Sequence, residues 1–138
     1  MKYMMQFFTA LHVFFYRLSG GKFGGRMGAG NILLLDSIGR KSGKARTTPV
    51  MYIQEGTSYV VAASAGGGPV NPGWYHNLRT AGSTTIQVMG NKMTASVVEA
   101  DPVRRDQLWA KIVAAMPQFK GYETRTTRKI PLLILTPR

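Results

Sequence analysis

Residues 1–18 are apolar at Met4, Met5, Phe7, Phe8, Leu11, Val13, Phe14, Phe15 and Leu18, and polar at Lys2, Gln6, Thr9 and His12. The polar positions recur at three- to four-residue spacing. Wound into a helix, they form one narrow stripe opposite a broad apolar face. The run is short for a bilayer span. It lacks the basic front and small-residue cleavage site of a signal peptide. Such a helix packs on its own domain or on a second subunit, or it lies in a membrane interface. Six glycines between Gly20 and Gly30 follow. They favour neither helix nor strand, so residues 19–30 read as a link that is mobile, or ordered only by a ligand or neighbour.

From Asn31 the pattern changes to short apolar runs and turn signals. Ile32-Leu33-Leu34-Leu35 reads as a buried strand, and 48–54 as the next one. Glu55-Gly56-Thr57 is a turn, and Tyr59-Val60-Val61-Ala62-Ala63 closes a hairpin. In the glycine-rich stretch 66–73, Asn71 is placed as N-cap and Pro72 as first residue of a helix over 74–80. Residues 84–89 and 92–99 make a second hairpin around Gly90-Asn91. Asp101-Pro102 opens a further helix with Leu108, Ile112 and Met116 on one face. Residues 117–129 read as a polar loop with aromatics, and 130–136 as a last buried strand. Antiparallel strands with two or three helices predict a small α+β barrel. The division is an amphipathic helix (1–18), a glycine-rich link (19–30) and one barrel domain (31–138).

Composition narrows the chemistry. The 138 residues fit one domain that needs no metal or disulfide staple. There is no cysteine, which removes disulfides, thiolate metal sites and cysteine nucleophiles. His12 and His76 lie far apart, without metal-ligand spacing. Eighteen Lys and Arg against six acids give a net charge of +12, a field that attracts polyanions. Nucleic acid, an anionic membrane and a phosphorylated, carboxylate-rich cofactor all qualify. The cations are spread along the chain with no basic tail, which argues against a nucleic-acid arm. Neither a nucleophile–base set nor paired carboxylates stand out, so in an enzyme the cofactor carries the reaction.

Two segments are candidate sites. Gly39-Arg40-Lys41-Ser42-Gly43-Lys44-Ala45-Arg46-Thr47-Thr48-Pro49 sets four cations in seven residues, with hydroxyls and backbone amides to bind one anion. A solvated turn between strands has the same composition. The second is the glycine loop ahead of Trp74, Tyr75, His76 and Asn77, where a flat ligand can approach bare backbone and a helix N-terminus. The glycine-rich link does not match a dinucleotide fingerprint, and the basic loop is no Walker motif.

Asp36-Ser37-Ile38-Gly39-Arg40-Lys41-Ser42-Gly43-Lys44-Ala45-Arg46-Thr47-Thr48-Pro49-Val50 and the stretch Ala63-Ser64-Ala65-Gly66-Gly67-Gly68-Pro69-Val70-Asn71-Pro72-Gly73-Trp74-Tyr75-His76-Asn77-Leu78 together resemble the deazaflavin-dependent nitroreductase and quinone reductase family of actinobacteria. The resemblance runs from about Asn31 to the C-terminus, through Arg128-Lys129-Ile130-Pro131 and Leu135-Thr136-Pro137. It implies a split β-barrel of the flavin-nucleotide-binding oxidoreductase type. It also implies reduced coenzyme F420 as hydride donor, and a quinone, nitroaromatic or conjugated enone as acceptor. Arg40, Lys41, Ser42, Lys44, Arg46 and Thr47 match the family's anion-holding loop. Thr48, Pro49 and Met51 match positions beside the ring; Ala62, Ala63, Ser64, Gly66 and Gly67 match its backbone contacts; Trp74, Tyr75 and Asn77 match the wall beyond. Tyr122 matches a tyrosine near the acceptor that orients it or donates a proton, and is the catalytic candidate. Phe119 stands where some members carry tyrosine and Val70 where some carry lysine, departures that bear on acceptor preference. The resemblance implies a cytoplasmic enzyme; residues 1–18 add a peripheral seat on the inner face of the membrane. A homodimer is a further expectation. The alternatives are a split barrel that binds FMN, and a non-catalytic basic module for nucleic acid or anionic lipid.

Overall fold

A computed structural model describes residues 2–22, 25–27 and 30–138, with side chains from Phe7 onward except those of residues 26 and 27. The chain begins with helix α1 (Lys2–Ser19) and a two-residue strand β1 (Arg26–Met27) inside the glycine-rich stretch. Strands β2 (Gly30–Ile38), β3 (Ala45–Glu55) and β4 (Ser58–Ala62) follow, then helix α2 (Gly73–Ala81). Strands β5 (Ser83–Val88) and β6 (Asn91–Glu99) form the second hairpin. Helices α3 (Pro102–Ala115) and α4 (Phe119–Thr124) precede the last strand, β7 (Leu132–Pro137).

All strand pairs are antiparallel, in the order β2-β3-β4-β7-β6-β5. The ring closes where β5 returns to β2, Leu34 opposite Gln87 and Leu35 opposite Ile86. Among the described residues this makes a closed six-stranded barrel, with β1 as a short addition to β2.

Burial on both faces explains the unbroken apolar runs. Leu33 and Leu35 of β2 point into the barrel beside Val61, Ile86, Leu133 and Leu135. Their neighbours Ile32 and Leu34 point outward and are covered by Tyr16 and Val13 of α1. Val60 of β4 and Leu132 of β7 face outward under Leu108, Trp109 and Ile112 of α3. Tyr75 and Leu78 of α2 join the interior cluster and plug one end of the barrel.

Four local expectations change. Strand β3 starts at Ala45, so Arg46 and Thr47 are strand residues and not loop. Helix α2 starts at Gly73, and its N-cap is Pro72, without a side-chain cap. Asn71 instead accepts a hydrogen bond of 2.5 Å from Arg128. The polar loop expected at 117–129 contains α4, tied to α3 by a hydrogen bond from the Trp109 indole to Glu123 (3.2 Å) and by the Trp109–Phe119 ring contact. In the glycine-rich stretch, read as neither helix nor strand, Arg26–Met27 pair with β2 as β1, and the Gly21 N–H closes the end of α1 on the Tyr16 carbonyl (2.8 Å); residues 23, 24, 28 and 29 lie outside the described residues.

Helix α1 packs on its own domain through Val13 and Tyr16, and its broad apolar face is left outward. Tyr16 is 0% exposed. Its hydroxyl accepts from the Met89 N–H (2.7 Å) and points its own hydrogen between the Ile32 and Gln87 carbonyls (3.0 and 3.2 Å). Burial raises its pKa above the usual phenol value. Thr9, His12, Val13 and Tyr16 share this inward face at i, i+3, i+4 and i+7 spacing. Phe7, Phe8, Leu11, Phe14, Phe15 and Leu18 therefore face solvent, Leu18 at 72% and Phe7 at 61% exposure.

Candidate active site

The β2–β3 hairpin carries the basic segment. Its turn is fixed internally: Gly39 N–H donates to Lys44 O (2.9 Å), Gly43 N–H to Gly39 O (2.8 Å) and Lys44 N–H to Ser42 Oγ (3.2 Å). Gly43 takes φ +71°, a left-handed value that favours glycine. Asn77 of α2 accepts from the Arg40 N–H (3.1 Å) and reaches Ser37 (3.4 Å), locking the hairpin to the helix. The N–H groups of Gly39, Arg40, Gly43 and Lys44 are thus engaged within the protein. Arg40, Lys41, Ser42 and Arg46 line a cleft of 380 Å³ together with Thr48, Trp74 and Asn77.

The six acids are committed elsewhere. Asp36 meets Arg17 and Thr47, Glu55 meets Lys111 and Arg104, Glu99 meets Arg79 and Tyr75, and Asp106 meets Arg105 and Lys129. Asp101 caps α3 and Glu123 accepts from Trp109. Among the described residues no acid lines the basic cleft; Asp36, which shares an adjoining pocket with Arg46, is paired with Arg17.

A second cleft, also 380 Å³, adjoins it through Thr48 and Trp74. Its lining is mainly apolar: Pro49, Val50 and Met51 from β3, Ala62 from β4, Ser64, Ala65 and Gly66 from the following loop, and Phe119 and Tyr122 from α4. Gly66 has φ +64°, and nothing lies within 4 Å of where a Cβ would stand, so bare backbone faces this space. At Gly67 (φ +84°) a Cβ would come within 2.9 Å of Tyr122 O and Arg125 Cβ, which lets α4 pack on the loop. The Tyr122 ring stands edge-on to Phe119 (5.0 Å between centroids) and under the Arg125 guanidinium (5.9 Å).

The structure brings Arg40, Lys41, Ser42, Arg46, Thr48 and Asn77 together at the basic end, and Pro49, Met51, Ala62, Ser64, Gly66, Phe119 and Tyr122 at the apolar end, with Trp74 between. It sets the other sequence candidates apart. Tyr75 is 4% exposed inside the barrel, its hydroxyl on Glu99 at 2.5 Å. Burial, then Glu99, raises its pKa. Thr47 donates to Asp36 (2.6 Å) on another surface. Lys44 lies at the tip of the turn, outside both clefts. The Ala63 N–H is held by Pro131 O, and the Gly67 N–H by Ser64 O.

Two features escaped the sequence reading. Arg128 donates to Ala63 O (3.1 Å), Ser64 O (2.9 Å), Gly68 O (3.0 Å) and Asn71 (2.5 Å), bracing the loop over 63–71. Its only mark in the sequence is the Arg128-Lys129-Ile130-Pro131 segment of the family resemblance. Thr9 and His12 of α1 line the apolar cleft. Their signal is the polar stripe in an otherwise apolar helix.

A closed six-stranded antiparallel barrel flanked by helices is a split β-barrel fold. A family model described as F420H2-dependent quinone reductase matches residues 9–137. The F420H2-dependent quinone reductase Rv1261c of Mycobacterium tuberculosis is 36% identical over 132 residues, covering 93% of this chain and 89% of that protein. The solved structure of an F420-H2 dependent reductase, FDR-A, superposes with a TM-score of 0.68 at 33% identity, covering 75% of this chain and 92% of that one. Another, described as a domain-swapped dimer, superposes with a TM-score of 0.69 at 33% identity, covering 75% and 78%. The chain belongs to the F420H2-dependent quinone reductase family, and the family's cofactor is reduced coenzyme F420. The residues present fit that group: a flat apolar slot with bare backbone at Gly66 suits a ring, and the cations beyond Trp74 suit an anionic tail.

Proposed function

We propose that this chain transfers a hydride from reduced coenzyme F420 to a hydrophobic acceptor, with a quinone as the leading class and nitroaromatics and conjugated enones as further ones. The observation that carries this reading is the meeting of an apolar, aromatic cleft and a cationic one at Thr48 and Trp74. A ligand that is planar at one end and polyanionic at the other spans both. When bound, the reduced deazaflavin supplies the hydride. Arg40, Lys41, Ser42 and Arg46 hold the phosphodiester and carboxylates by charge-assisted bonds. Met51, Ala62, Ser64 and Gly66 flank the ring. Trp74, Phe119 and Tyr122 exclude water and hold the acceptor flat against it, which supplies proximity and orientation. Tyr122 orients the acceptor through its hydroxyl. Phe119 has no hydroxyl to offer a polar acceptor, and this favours quinones over bulky nitroimidazoles.

The outward apolar face of α1 gives this activity a place. No helix among the described residues is long and apolar enough to cross a membrane. Six exposed large side chains on one helix face, on a chain of net charge +12, suit shallow insertion at an anionic surface where quinones partition. The enzyme then works from the cytoplasmic side. A homodimer is the competing use of the same face, favoured by the related structure described as a domain-swapped dimer.

Anaerobic mixing of the protein with reduced coenzyme F420 and menadione tests the reading. Catalysed, stoichiometric oxidation of the cofactor supports it. Activity with reduced FMN and none with the deazaflavin overturns it.

A further inference from the structure

Reduction of a quinone by hydride leaves one oxygen that must gain a proton, and the source of that proton has a structural answer in α1. Among the described residues that line the apolar cleft, only two side chains titrate, His12 and Tyr122. Tyr122 of α4 lines the same cleft as His12, and Tyr16 follows one turn further along α1. No carboxylate lines the cleft among the described residues. An imidazole changes charge between pH 5 and 8, whereas a phenol is a far weaker acid. Tyr16, one helical turn further on, is fully buried and hydrogen-bonded to the barrel at three points, so His12 is carried on an anchored segment of the helix. Of the polar stripe, Thr9 and His12 are half-buried and line the cleft.

We propose that His12 is a catalytic acid of this enzyme, giving its imidazolium proton to the quinone oxygen as hydride arrives. This inference rests on the proposed hydride transfer. A new C–H or O–H bond takes the cofactor's hydride and its electron pair, and a second O–H bond takes the imidazolium proton. After aromatisation the quinone is a hydroquinone; the oxidised cofactor gives up its second hydrogen as a proton to solvent, and neutral His12 takes one proton back from solvent. Overall the reduced cofactor loses two hydrogens and the quinone gains two. α1 is therefore a wall of the acceptor site as well as a surface anchor.

The test compares wild type, His12→Gln and Tyr122→Phe from pH 5.5 to 9. It measures kcat/KM with menadione, affinity for oxidised coenzyme F420 by fluorescence, and the imidazole nitrogen resonances with the oxidised cofactor bound. Gln keeps a hydrogen-bond donor but cannot deliver a proton. In wild type kcat/KM falls as pH rises through the imidazole range. In His12→Gln it is flat and about 100-fold lower at pH 6, while cofactor affinity changes less than about twofold. Menadione shifts the resonance that His12→Gln removes. A pH limb that persists in His12→Gln and vanishes in Tyr122→Phe assigns the acid to Tyr122 and overturns the proposal. Loss of cofactor affinity in His12→Gln with its pH limb intact makes His12 a structural wall and also overturns it. A wild type that binds no coenzyme F420 overturns the hydride-transfer reading itself, a separate outcome.

Discussion

Arg40, Lys41 and Arg46 share one cleft in which no acid answers them, and an anionic ligand is the natural partner for such a set. Replacing any one of them by alanine weakens affinity for coenzyme F420 by about tenfold, the scale of one charge-assisted hydrogen bond. The loss shrinks at high salt, because exposed pairs are screened. Equal affinity in all three variants, read by fluorescence titration, would reduce the loop to a solvated turn. Arg128 acts differently, since it lines neither cleft and braces the backbone of Ala63, Ser64 and Gly68 and the side chain of Asn71. Arg128→Met loosens this loop, so hydrogen exchange at 63–71 accelerates and cofactor affinity drops about tenfold with little salt dependence. Exchange unchanged across the loop contradicts that role. The cations were legible in the sequence because they are local. Arg128 was not, because its partners lie 57 to 65 residues away.

At the scale of elements, the hairpins could be read directly from their turns and apolar runs, since both signals are local. Helix α4 could not. Its six residues are short and polar, and it owes its place to Trp109 reaching Glu123 and to ring contacts among Trp109, Phe119 and Tyr122. The amphipathic character of α1 was plain, but which face turns inward depends on Tyr16 finding the Met89 amide and the Ile32 and Gln87 carbonyls, far along the chain. That orientation decides which α1 variant is informative. A chain starting at Gly30 would uncover Ile32 and Leu34 and strip Thr9 and His12 from the cleft. The informative variant is Phe7→Glu with Phe14→Glu, on the solvent face. We expect it to fold, to turn over menadione, and to lose co-sedimentation with anionic vesicles at low salt. Binding that survives the double change assigns attraction to the basic surface alone. A wild type that stays in the supernatant but runs as a dimer gives the face to a second copy.

For the whole molecule, acids are scarce: Asp101 caps α3, and the other five tie separate segments together. Glu55 is hydrogen-bonded to Lys111 first and supported by Arg104, and both hold its carboxyl below the usual range. Arg105, then Lys129, do the same for Asp106. A carboxyl whose folded pKa is depressed stabilises above its unfolded value, about pH 4, and that contribution is lost as pH falls through the lower folded value. Thermal stability should therefore hold from pH 7 to about 5 and decline below about pH 4. Glu55→Gln starts from a lower Tm and declines less steeply; an identical slope in wild type and variant contradicts the role of that pair. Added salt should raise Tm in acid, where net positive charge grows and repels itself. This surplus of cations over acids, visible in the composition, is what leaves the basic cleft without an acid among its described lining residues, open to a polyanionic ligand.

The claim that joins these scales is that a flat deazaflavin ring lies in the apolar cleft with its anionic tail on the β2–β3 hairpin. Parallel equilibrium titrations of the wild type with oxidised coenzyme F420 and with FMN test it most directly. The account predicts saturable, salt-sensitive binding of coenzyme F420, at least about 100-fold tighter than FMN, and lost when Arg40, Lys41 and Arg46 are replaced together. FMN binding as tight as coenzyme F420, or deazaflavin affinity untouched by the triple replacement, would contradict it.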